Sequence, residues 1–306
     1  MTTLKKTIEN YLSYCSYQKK LNAKTIKAYT IDLEQLSLHT ASETIPAKIE
    51  LTEFITYLHS VYLPRTVKRK IASVRAFLNY LEFEEIITEN PMKKIKTKFQ
   101  IPQTLPRTIP LSVIENILNA VYQELRQAKT AYAMNTALRN AAIIELLFAT
   151  GLRVSELCSL EAQHIDFGNG SIRIMGKGAK ERVLQVGNPE VLATLRRYAD
   201  ENAGRIPKIG YFFVNRLSSR ISEQSVRFLI KRLCTKAEVG HNITPHMFRH
   251  SFATLLLEED VDIRYIQRML GHSSILTTQI YTHVTTEKQR KILVSKHPRN
   301  KILLKI

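Results

Sequence analysis

Six side chains in the sequence are of types that together can act on a phosphodiester without a metal ion. They are two guanidiniums, an ammonium, two imidazoles and a phenol, carried by Arg153, Lys177, His246, Arg249, His272 and Tyr281. Two arginines can clamp the nonbridging oxygens of a phosphate and stabilise the charge that builds at phosphorus. A phenol can attack the phosphorus and hold it as an ester, and a lysine or histidine can protonate the departing 5′ oxygen. No carboxylate cluster accompanies the set, so neither a metal ion nor a cofactor is expected.

Each of these residues also has an ordinary structural interpretation. A lone tyrosine is usually half-buried in a core, and a lone histidine is usually hydrogen-bonded within the fold. Arg153 taken alone would be a surface or ion-pair arginine. Spacing does not by itself bring Arg153, Lys177 and Tyr281 together, so the elements that would carry them have to be considered.

The C-terminal third of the chain is predicted to hold most of the set on three helices. A hydroxyl cap followed by proline signals the start of the first helix, where His246 and Arg249 project from one face at i and i+3. A second helix is predicted from Asp262 to Gly271, which suits a left-handed cap. A third short helix carries Tyr281.

The N-terminal part of the chain, residues 1–91, shows helical periodicity and no strand pattern. Four amphipathic helices are predicted, at about 3–19, at about 23–38, from the cap candidate Thr52 onward, and at about 65–83. They indicate a small four-helix domain.

The fourth of these helices has a basic outer face. Residues 62–75 contain no acid, and the cations in this stretch are Arg65, Lys68, Arg69, Lys70 and Arg75. Of these, Arg65, Lys68, Arg69 and Arg75 are predicted to share one side, with the hydroxyls of Thr66 and Ser73 nearby. Such a helix can lie in a DNA groove with its cations on phosphates. The alternative is a solvated basic face.

A second domain, residues 111–290, is predicted after a basic linker at 92–110 that follows the helix stop Asn90-Pro91. A capping box at Ser112 opens it. Its predicted helices are at about 112–126, 134–149, 189–202 and 222–238, and three strands lie near 163–167, 171–175 and 182–186. Lys177 lies in the hairpin 176–181, and the tail is 291–306. The predicted fold class is mainly α with a small three-stranded antiparallel sheet (α+β).

The composition favours a polyanionic partner. The chain has 306 residues, with 45 Lys and Arg against 27 Asp and Glu and a formal charge of +18. Nucleic acid is the usual partner of such a charge, and a generally basic solvated surface is the alternative. Three widely spaced cysteines fit neither a disulfide framework nor a zinc site. With no membrane-spanning apolar run and no signal peptide, a cytoplasmic protein is expected.

Several long motifs resemble the tyrosine recombinase (lambda integrase-like) family, and within it the Xer group. They are ATGLRVSEL, GKGAKER, TPHMFRHSFATLLLEEDVDIRYIQRMLGHSSILTTQIYTHV and a late HPR, and the likeness covers almost the whole chain. The resemblance implies Arg153 and Arg249 as the phosphate clamp and Tyr281 as the nucleophile. It implies Lys177 as general acid, His246 as an aid to proton transfer and His272 as a hydrogen-bond donor to the phosphate. Glu156 and His250 match motif positions that we interpret as structural support.

The same resemblance implies an activity: site-specific recombination of double-stranded DNA through a 3′-phosphotyrosine and a Holliday junction. It implies a core-binding domain followed by a catalytic domain, acting as a homotetramer on paired sites or with a related recombinase. It also implies a tail that docks on a neighbouring subunit, although the tail can instead pack on its own domain. Two rival functions remain: a type IB topoisomerase or telomere resolvase, and a non-catalytic DNA-binding accessory protein.

Three features bear on how closely the family pattern is followed. ERVLQVG lacks the proline usual after the third strand, and residues 122–138 are longer than is typical of the Xer group. The chain also begins with the core-binding helices, so binding at core sites alone is expected.

Overall fold

A computed structural model describes residues 3–40, 43–100, 107–175 and 181–271. The chain divides into two compact units, Met1–Gln103 and Thr104–Ile306. It is mainly helical with a single three-stranded antiparallel sheet among the described residues, which confirms the predicted fold class. No described helix is both long enough and apolar enough to cross a membrane.

The first unit is built from four helices around one apolar core. They are α1 (Leu4–Tyr17), α2 (Ala23–Thr40), α3 (Lys48–Val61) and α4 (Pro64–Phe83). Each helix directs a stripe of apolar side chains inward, and Tyr11, Leu33, Phe54 and Phe77 are at most 1% exposed. A short 3₁₀ helix, Pro91–Lys94, follows, and its Met92 packs into the same core.

One predicted helix start and one predicted helix stop in this unit were wrong. The third helix begins at Lys48, four residues before Thr52, because the Glu50 carboxylate accepts the Ala47 backbone N–H at 2.7 Å and so closes the first turn. The fourth helix ends at Phe83, as predicted, but the Asn-Pro pair seven residues later does not stop it. Asn90 instead caps the 3₁₀ helix, with its side-chain oxygen 2.9 Å from the Met92 amide.

The second unit contains eight α-helices, one short 3₁₀ helix (Ala162–His164) and the sheet among its described residues. The helices are α5 (Leu111–Gln127), α6 (Ala131–Thr150), α7 (Val154–Cys158), α8 (Pro189–Glu201), α9 (Ile206–Ile209), α10 (Glu223–Lys236), α11 (Pro245–Glu258) and α12 (Ile263–Leu270). The strands are β1 (Ile165–Asp166), β2 (Ser171–Met175) and β3 (Glu181–Gln185), paired antiparallel in the order β1-β2-β3. The paired ends Met175 and Glu181 flank the segment that contains Lys177.

Helix α6 lies at the centre of this unit. Its residues from Ala141 to Leu147 include six apolar side chains that are fully buried, and it packs against α5, α8 and α11. A helix that is apolar on nearly all sides is stable only when other elements surround it. The end of α6 is therefore a fixed point from which neighbouring side chains can be placed.

One predicted cap and one predicted helix start in the second unit were also wrong. Ser112 forms no cap, because α5 begins at Leu111 and Pro110 precedes it. Helix α6 begins at Ala131 and not near 134, since the Thr130 hydroxyl accepts the Ala133 amide at 3.1 Å. By contrast, Asn188-Pro189 begins α8 as predicted, with the Asn188 side chain accepting the Glu190 amide at 2.8 Å.

Both ends of the predicted linker 92–110 are packed. Met92 lies in the core of the first unit, and Ile109 is 1% exposed in the core of the second. The Ile109 amide donates to the Ser251 hydroxyl at 2.7 Å. The predicted helix that carries Tyr281 and the tail 291–306 lie outside the described residues.

Candidate active site at the end of helix α6

The candidate site begins at the glycine that ends α6. Gly151 has a φ of 60°, and its amide donates to the Leu147 carbonyl at 3.1 Å. A Cβ at this position would lie 2.7 Å from Cδ1 of Phe252 and 3.1 Å from Cδ2 of Leu270. Glycine is therefore required both for the left-handed backbone and for the close approach of α11 and α12. The predicted left-handed ends at Gly151 and Gly271 are both confirmed.

Arg153 follows this turn at the start of α7. Its backbone N–H donates to Oε2 of Glu156 at 2.9 Å, and its Nη1 donates to Oε1 at 2.8 Å. The Arg153 side chain is 37% exposed, whereas the Glu156 side chain is 7% exposed. The guanidinium is thus held from the protein side by a buried carboxylate while part of it faces solvent.

Glu156 also binds a second arginine, Arg182 of β3. Nη1 of Arg182 donates to Oε1 at 3.0 Å and Nη2 donates to Oε2 at 2.8 Å, which is a two-pronged contact. Burial alone would raise the pKa of Glu156, but the hydrogen bonds from Arg182 and Arg153 outweigh it and lower the pKa. Glu156 is therefore a carboxylate at neutral pH, which fits its interpretation as structural support.

Arg182 joins three elements and was not singled out in the sequence. Besides Glu156 on α7, it binds the end of α12, where its Nε donates to the Met269 carbonyl at 2.9 Å. A Cβ on Gly271 would lie 3.0 Å from Nη1 of Arg182, so α12 ends against this guanidinium. The alternation of strand β3 could have predicted this role. Arg182 shares a face with the buried Leu184, and a charged side chain on the face toward the core needs a partner.

Arg249 is buried where two helices end. It lies on α11 and is 4% exposed. Nη1 donates to the Gly151 carbonyl at 2.8 Å and Nη2 donates to the Leu270 carbonyl at 2.5 Å. These carbonyls close α6 and α12, so the cation lies at two partly negative helix ends. Arg249 therefore fixes the relative positions of α6, α11 and α12.

His246 lies one turn before Arg249 on α11, and much of the residue is exposed. The neighbouring protein still removes part of its hydration, which lowers its pKa, and the charges of Arg249, Arg153 and Arg227 lower the pKa further. The imidazole is therefore neutral at neutral pH and able to accept a proton. His250, one turn further along, is half-buried, and burial together with His246 and Arg249 lowers its pKa to about 4.

The structure brings together three of the six predicted site residues. Arg153, His246 and Arg249 lie at the end of α6, because Arg249 binds the Gly151 carbonyl two residues before Arg153, and His246 lies one turn before Arg249 on α11. Lys177, His272 and Tyr281 lie outside the described residues. His272 directly follows Gly271, the residue at which α12 ends beside Arg182.

The second set of predicted residues lies on α4 of the first unit. Arg65, Lys68, Arg69 and Arg75 are all exposed. Arg69 donates to the Asp32 carboxylate through Nη1, and Arg75 donates to the Thr97 hydroxyl through Nη2.

Lys70 and Ser73 do not lie on the outer face of α4, which corrects the prediction for these two residues. Both are at most 3% exposed. Nζ of Lys70 lies 3.0 Å from Oδ1 of Asp32, and the Ser73 hydroxyl donates to Oδ2 at 2.7 Å. Lys70 follows the buried Val67 by three residues and precedes the buried Val74 by four, which is the spacing of one helix face.

Comparison with known proteins identifies relatives over 95–98% of the chain. Residues 107–288 match the phage integrase family, and residues 8–85 match the phage integrase N-terminal SAM-like domain. A tyrosine recombinase of Agathobacter rectalis is 49% identical over 98% of each chain. Tyrosine recombinase XerC of Bacillus pumilus is 33% identical over 98% of each chain, and XerD of Listeria monocytogenes is 34% identical over 95% of this chain and 98% of that one.

Solved structures show the same fold. A post-cleavage complex of the XerH site-specific recombinase bound to palindromic difH substrate has a TM-score of 0.74 at 22% identity, over 94% of this chain and 83% of that one. A lambda integrase dimer bound to a COC′ core site, residues 75–356, has a TM-score of 0.70 at 15% identity, over 90% of this chain and 97% of that one.

Proposed function

The chain belongs to the phage integrase family and is a tyrosine-type site-specific recombinase of the Xer type, and we propose which of its residues perform the reaction. The observation that carries the proposal is the convergence of Arg153 and Arg249 at the end of α6, each held by hydrogen bonds from the protein side. Two guanidiniums fixed in this way are suited to a phosphate group whose charge increases during reaction.

The first step cuts one strand of double-stranded DNA. Arg153 and Arg249 bind the nonbridging oxygens of the scissile phosphate, and His272 donates a further hydrogen bond. The Tyr281 oxygen attacks phosphorus, the bond to the 5′ oxygen breaks, and a 3′-phosphotyrosine forms. His246 accepts the tyrosine proton, for which its lowered pKa suits it, and Lys177 donates a proton to the departing oxygen.

The second step reseals the DNA in a new arrangement. A 5′ hydroxyl from a partner strand attacks the phosphotyrosine, so the ester bond is exchanged rather than hydrolysed and no energy cofactor is needed. One pair of strands is exchanged to form a Holliday junction, and the second pair then resolves it. Two sites with two cuts each require four copies of the chain, or an assembly with a related recombinase.

The first unit contributes to binding of the duplex. Its exposed cations on α4, Arg65, Lys68, Arg69 and Arg75, bind backbone phosphates. The chain's charge of +18 favours this association. Phosphate contacts hold the duplex in register and carry no direct sequence information.

A nicked duplex tests the assignment of the nucleophile. A DNA site is first enriched by its binding to the chain, and a nick is placed close to the cleavage position. Cleavage then releases the short piece that carries the new 5′ hydroxyl. Without that hydroxyl the strand cannot be rejoined, and the covalent adduct accumulates. Tyr281→Phe is expected to abolish the adduct. Tyr265→Phe is the matched control, since Tyr265 is 60% exposed on α12, and it is expected to preserve the adduct. An adduct that survives Tyr281→Phe overturns the assignment.

A supercoiled plasmid separates recombination from the rival activities. A plasmid with two copies of the enriched site is expected to yield recombinant circles, and a plasmid without the site is expected to stay supercoiled. Relaxation of the site-free plasmid would indicate a topoisomerase. Specific binding with no adduct and no recombinant product would indicate an accessory protein.

A further inference from the structure

A small pocket in the second unit lies well away from the candidate active site. It has a volume of about 160 Å³ and is lined by Arg139, Arg205 and Arg216 together with Asn135 and Asn215, and no carboxylate lines it. Asn135 and Gly151 are sixteen residues apart along α6, a distance of about 24 Å at the rise of an α-helix. The pocket is therefore not part of the arrangement around Arg153 and Arg249.

Arg139 forms the inner wall of the pocket. Its Nη1 donates to the Val214 carbonyl at 3.1 Å, and its Nη2 lies 3.4 Å from Oδ1 of Asn140. Its Nε is buried and has no hydrogen-bond partner among the described residues. Buried donors of this kind are rare, because leaving one unpaired costs much of its hydration free energy.

Arg139 also lacks a counter-charge, since it takes part in no ion pair with a described residue. Burial lowers the pKa of Arg139, and the charges of Arg205 and Arg232 lower it further. Tyr198 and Tyr132 act in the opposite direction. A guanidinium nevertheless stays protonated, so the protein holds a partly desolvated cation beside a second cation. A buried charge is normally stabilised by a partner of opposite sign.

Arg205 and Arg216 complete the positive wall. Arg205 is half-buried and donates through Nη2 to the Asn215 carbonyl at 2.7 Å, which holds its guanidinium in place. Arg216 is exposed and forms no hydrogen bond or ion pair with a described residue. The segments on either side of α9 therefore supply one guanidinium that is held in place and one that is exposed at the pocket.

We propose that this pocket binds a phosphate group, held by Arg139 from within and by Arg205 and Arg216 at the mouth. Three guanidiniums match the charge and the several oxygens of a phosphate, and they can bind it through two-pronged contacts. The amides of Asn135 and Asn215 supply further polar contacts. The group belongs either to a free phosphate or to the backbone of a DNA duplex. This inference is independent of the nucleophile and of the proposed reaction.

Calorimetric titration of the full chain with inorganic phosphate, at constant ionic strength against chloride, tests the site. Arg205→Gln and Arg216→Gln are each expected to weaken phosphate binding about tenfold or more, the effect of removing a charged hydrogen bond. Arg220→Gln is the matched control, because Arg220 is exposed on the same loop, faces Tyr211 and does not line the pocket. Arg139 also holds the Val214 carbonyl, so it is left unchanged.

Equal phosphate affinity in all four proteins overturns the proposal, as does the absence of binding to the parent chain. A second titration, in the presence of a saturating duplex, distinguishes the two sources of the phosphate. If a backbone phosphate occupies the pocket, the duplex excludes inorganic phosphate, and Arg216→Gln lowers the salt dependence of duplex binding by about one ion. If free phosphate is the ligand, both bind at once and the two titrations give the same affinity.

Discussion

Each unit of the molecule contains a buried carboxylate that binds two cations, and the two arrangements differ in what they connect. In the first unit, Asp32 on α2 accepts from Arg69, Lys70 and Ser73. In the second unit, Glu156 on α7 accepts from Arg153 and Arg182. Both carboxylates are nearly inaccessible, at 0% and 7% exposure.

The partners of Asp32 come from a single helix. Arg69, Lys70 and Ser73 lie within five residues of α4, so the network binds α2 to α4 and reaches no further. The partners of Glu156 come from separate parts of the chain, and Arg182 continues to the Met269 carbonyl at the end of α12. A network with partners on one helix supports the packing of a unit. A network that spans a loop, a strand and a helix end can also position a site.

The largest expected effect is the loss of stability when either carboxylate is neutralised. Asp32→Asn and Glu156→Gln each leave one largely buried cation, Lys70 or Arg182, without its counter-charge, which costs about 3–5 kcal/mol. Urea unfolding measures this cost. If the Asp32 network only supports packing, Asp32→Asn leaves the rate of adduct formation per folded molecule within about twofold of the parent. If the Glu156 network positions the site, Glu156→Gln lowers this rate substantially. Equal effects on cleavage would remove the distinction between the two networks.

The next largest effect is expected for Arg182→Lys, which keeps the charge but loses the two-pronged contact. We expect adduct formation to slow by about 10- to 100-fold, because the Arg153 anchor and the end of α12 both loosen, with little change in duplex affinity. Single-turnover cleavage and filter binding separate rate from affinity. Arg173→Lys, an exposed change on the neighbouring strand, is the control. A loss of affinity with an unchanged rate would contradict a positioning role.

A smaller effect is expected in the pH dependence of stability. Burial holds the pKa of His250 at about 4 in the folded chain, below its unfolded value of about 6.5. The unfolded chain therefore binds more protons between these values, so stability is complete above about pH 6.5 and falls as pH drops toward 4. His250→Asn should remove about 2 kcal/mol of this decline, allowing for partial solvent screening. Urea unfolding of both proteins between pH 4 and 7.5 measures the decline in stability. If the two proteins lose stability in parallel as the pH falls, His250 is not its cause.

The smallest effect is expected on the outer face of α4. Lys68→Gln removes one exposed cation that makes no ion pair with a described residue. We expect duplex binding to weaken modestly and the slope of log affinity against log salt to decrease by about one. The same change should leave stability within about 0.5 kcal/mol. An unchanged slope would mean that Lys68 does not contact the duplex.

Local patterns predicted the elements that position the site. The apolar stripes gave the helices, and the glycines at 151 and 271 marked two left-handed helix ends, since both positions need a backbone that few other residues adopt. The start of α3 and the cap at Ser112 were predicted wrongly because Ala47 and Pro110, which precede α3 and α5, have no side-chain group that caps a helix. The start of α6 was predicted too late, since Thr130 caps this helix. Helix boundaries of this kind are not specified by sequence pattern alone.

The long-range contacts could not be predicted from pattern. No spacing rule pairs Arg182 with Glu156 or brings the carbonyls of Gly151 and Leu270 to Arg249, because these contacts depend on how α6, α11 and β3 pack. Lys70 was misplaced for a related reason: a lysine was assumed to face solvent, although its position on α4 matches the buried face. The buried partner Asp32 lies on another helix.

The most direct test of the proposed reaction locates the covalent bond itself. The adduct trapped on a nicked duplex is digested with nuclease and trypsin, and the modified peptide is sequenced by mass spectrometry. The tryptic peptide 269–288 contains a single tyrosine, Tyr281. The proposed function predicts a nucleotide phosphate on that residue. A phosphate on Tyr265 or on any other side chain would contradict it.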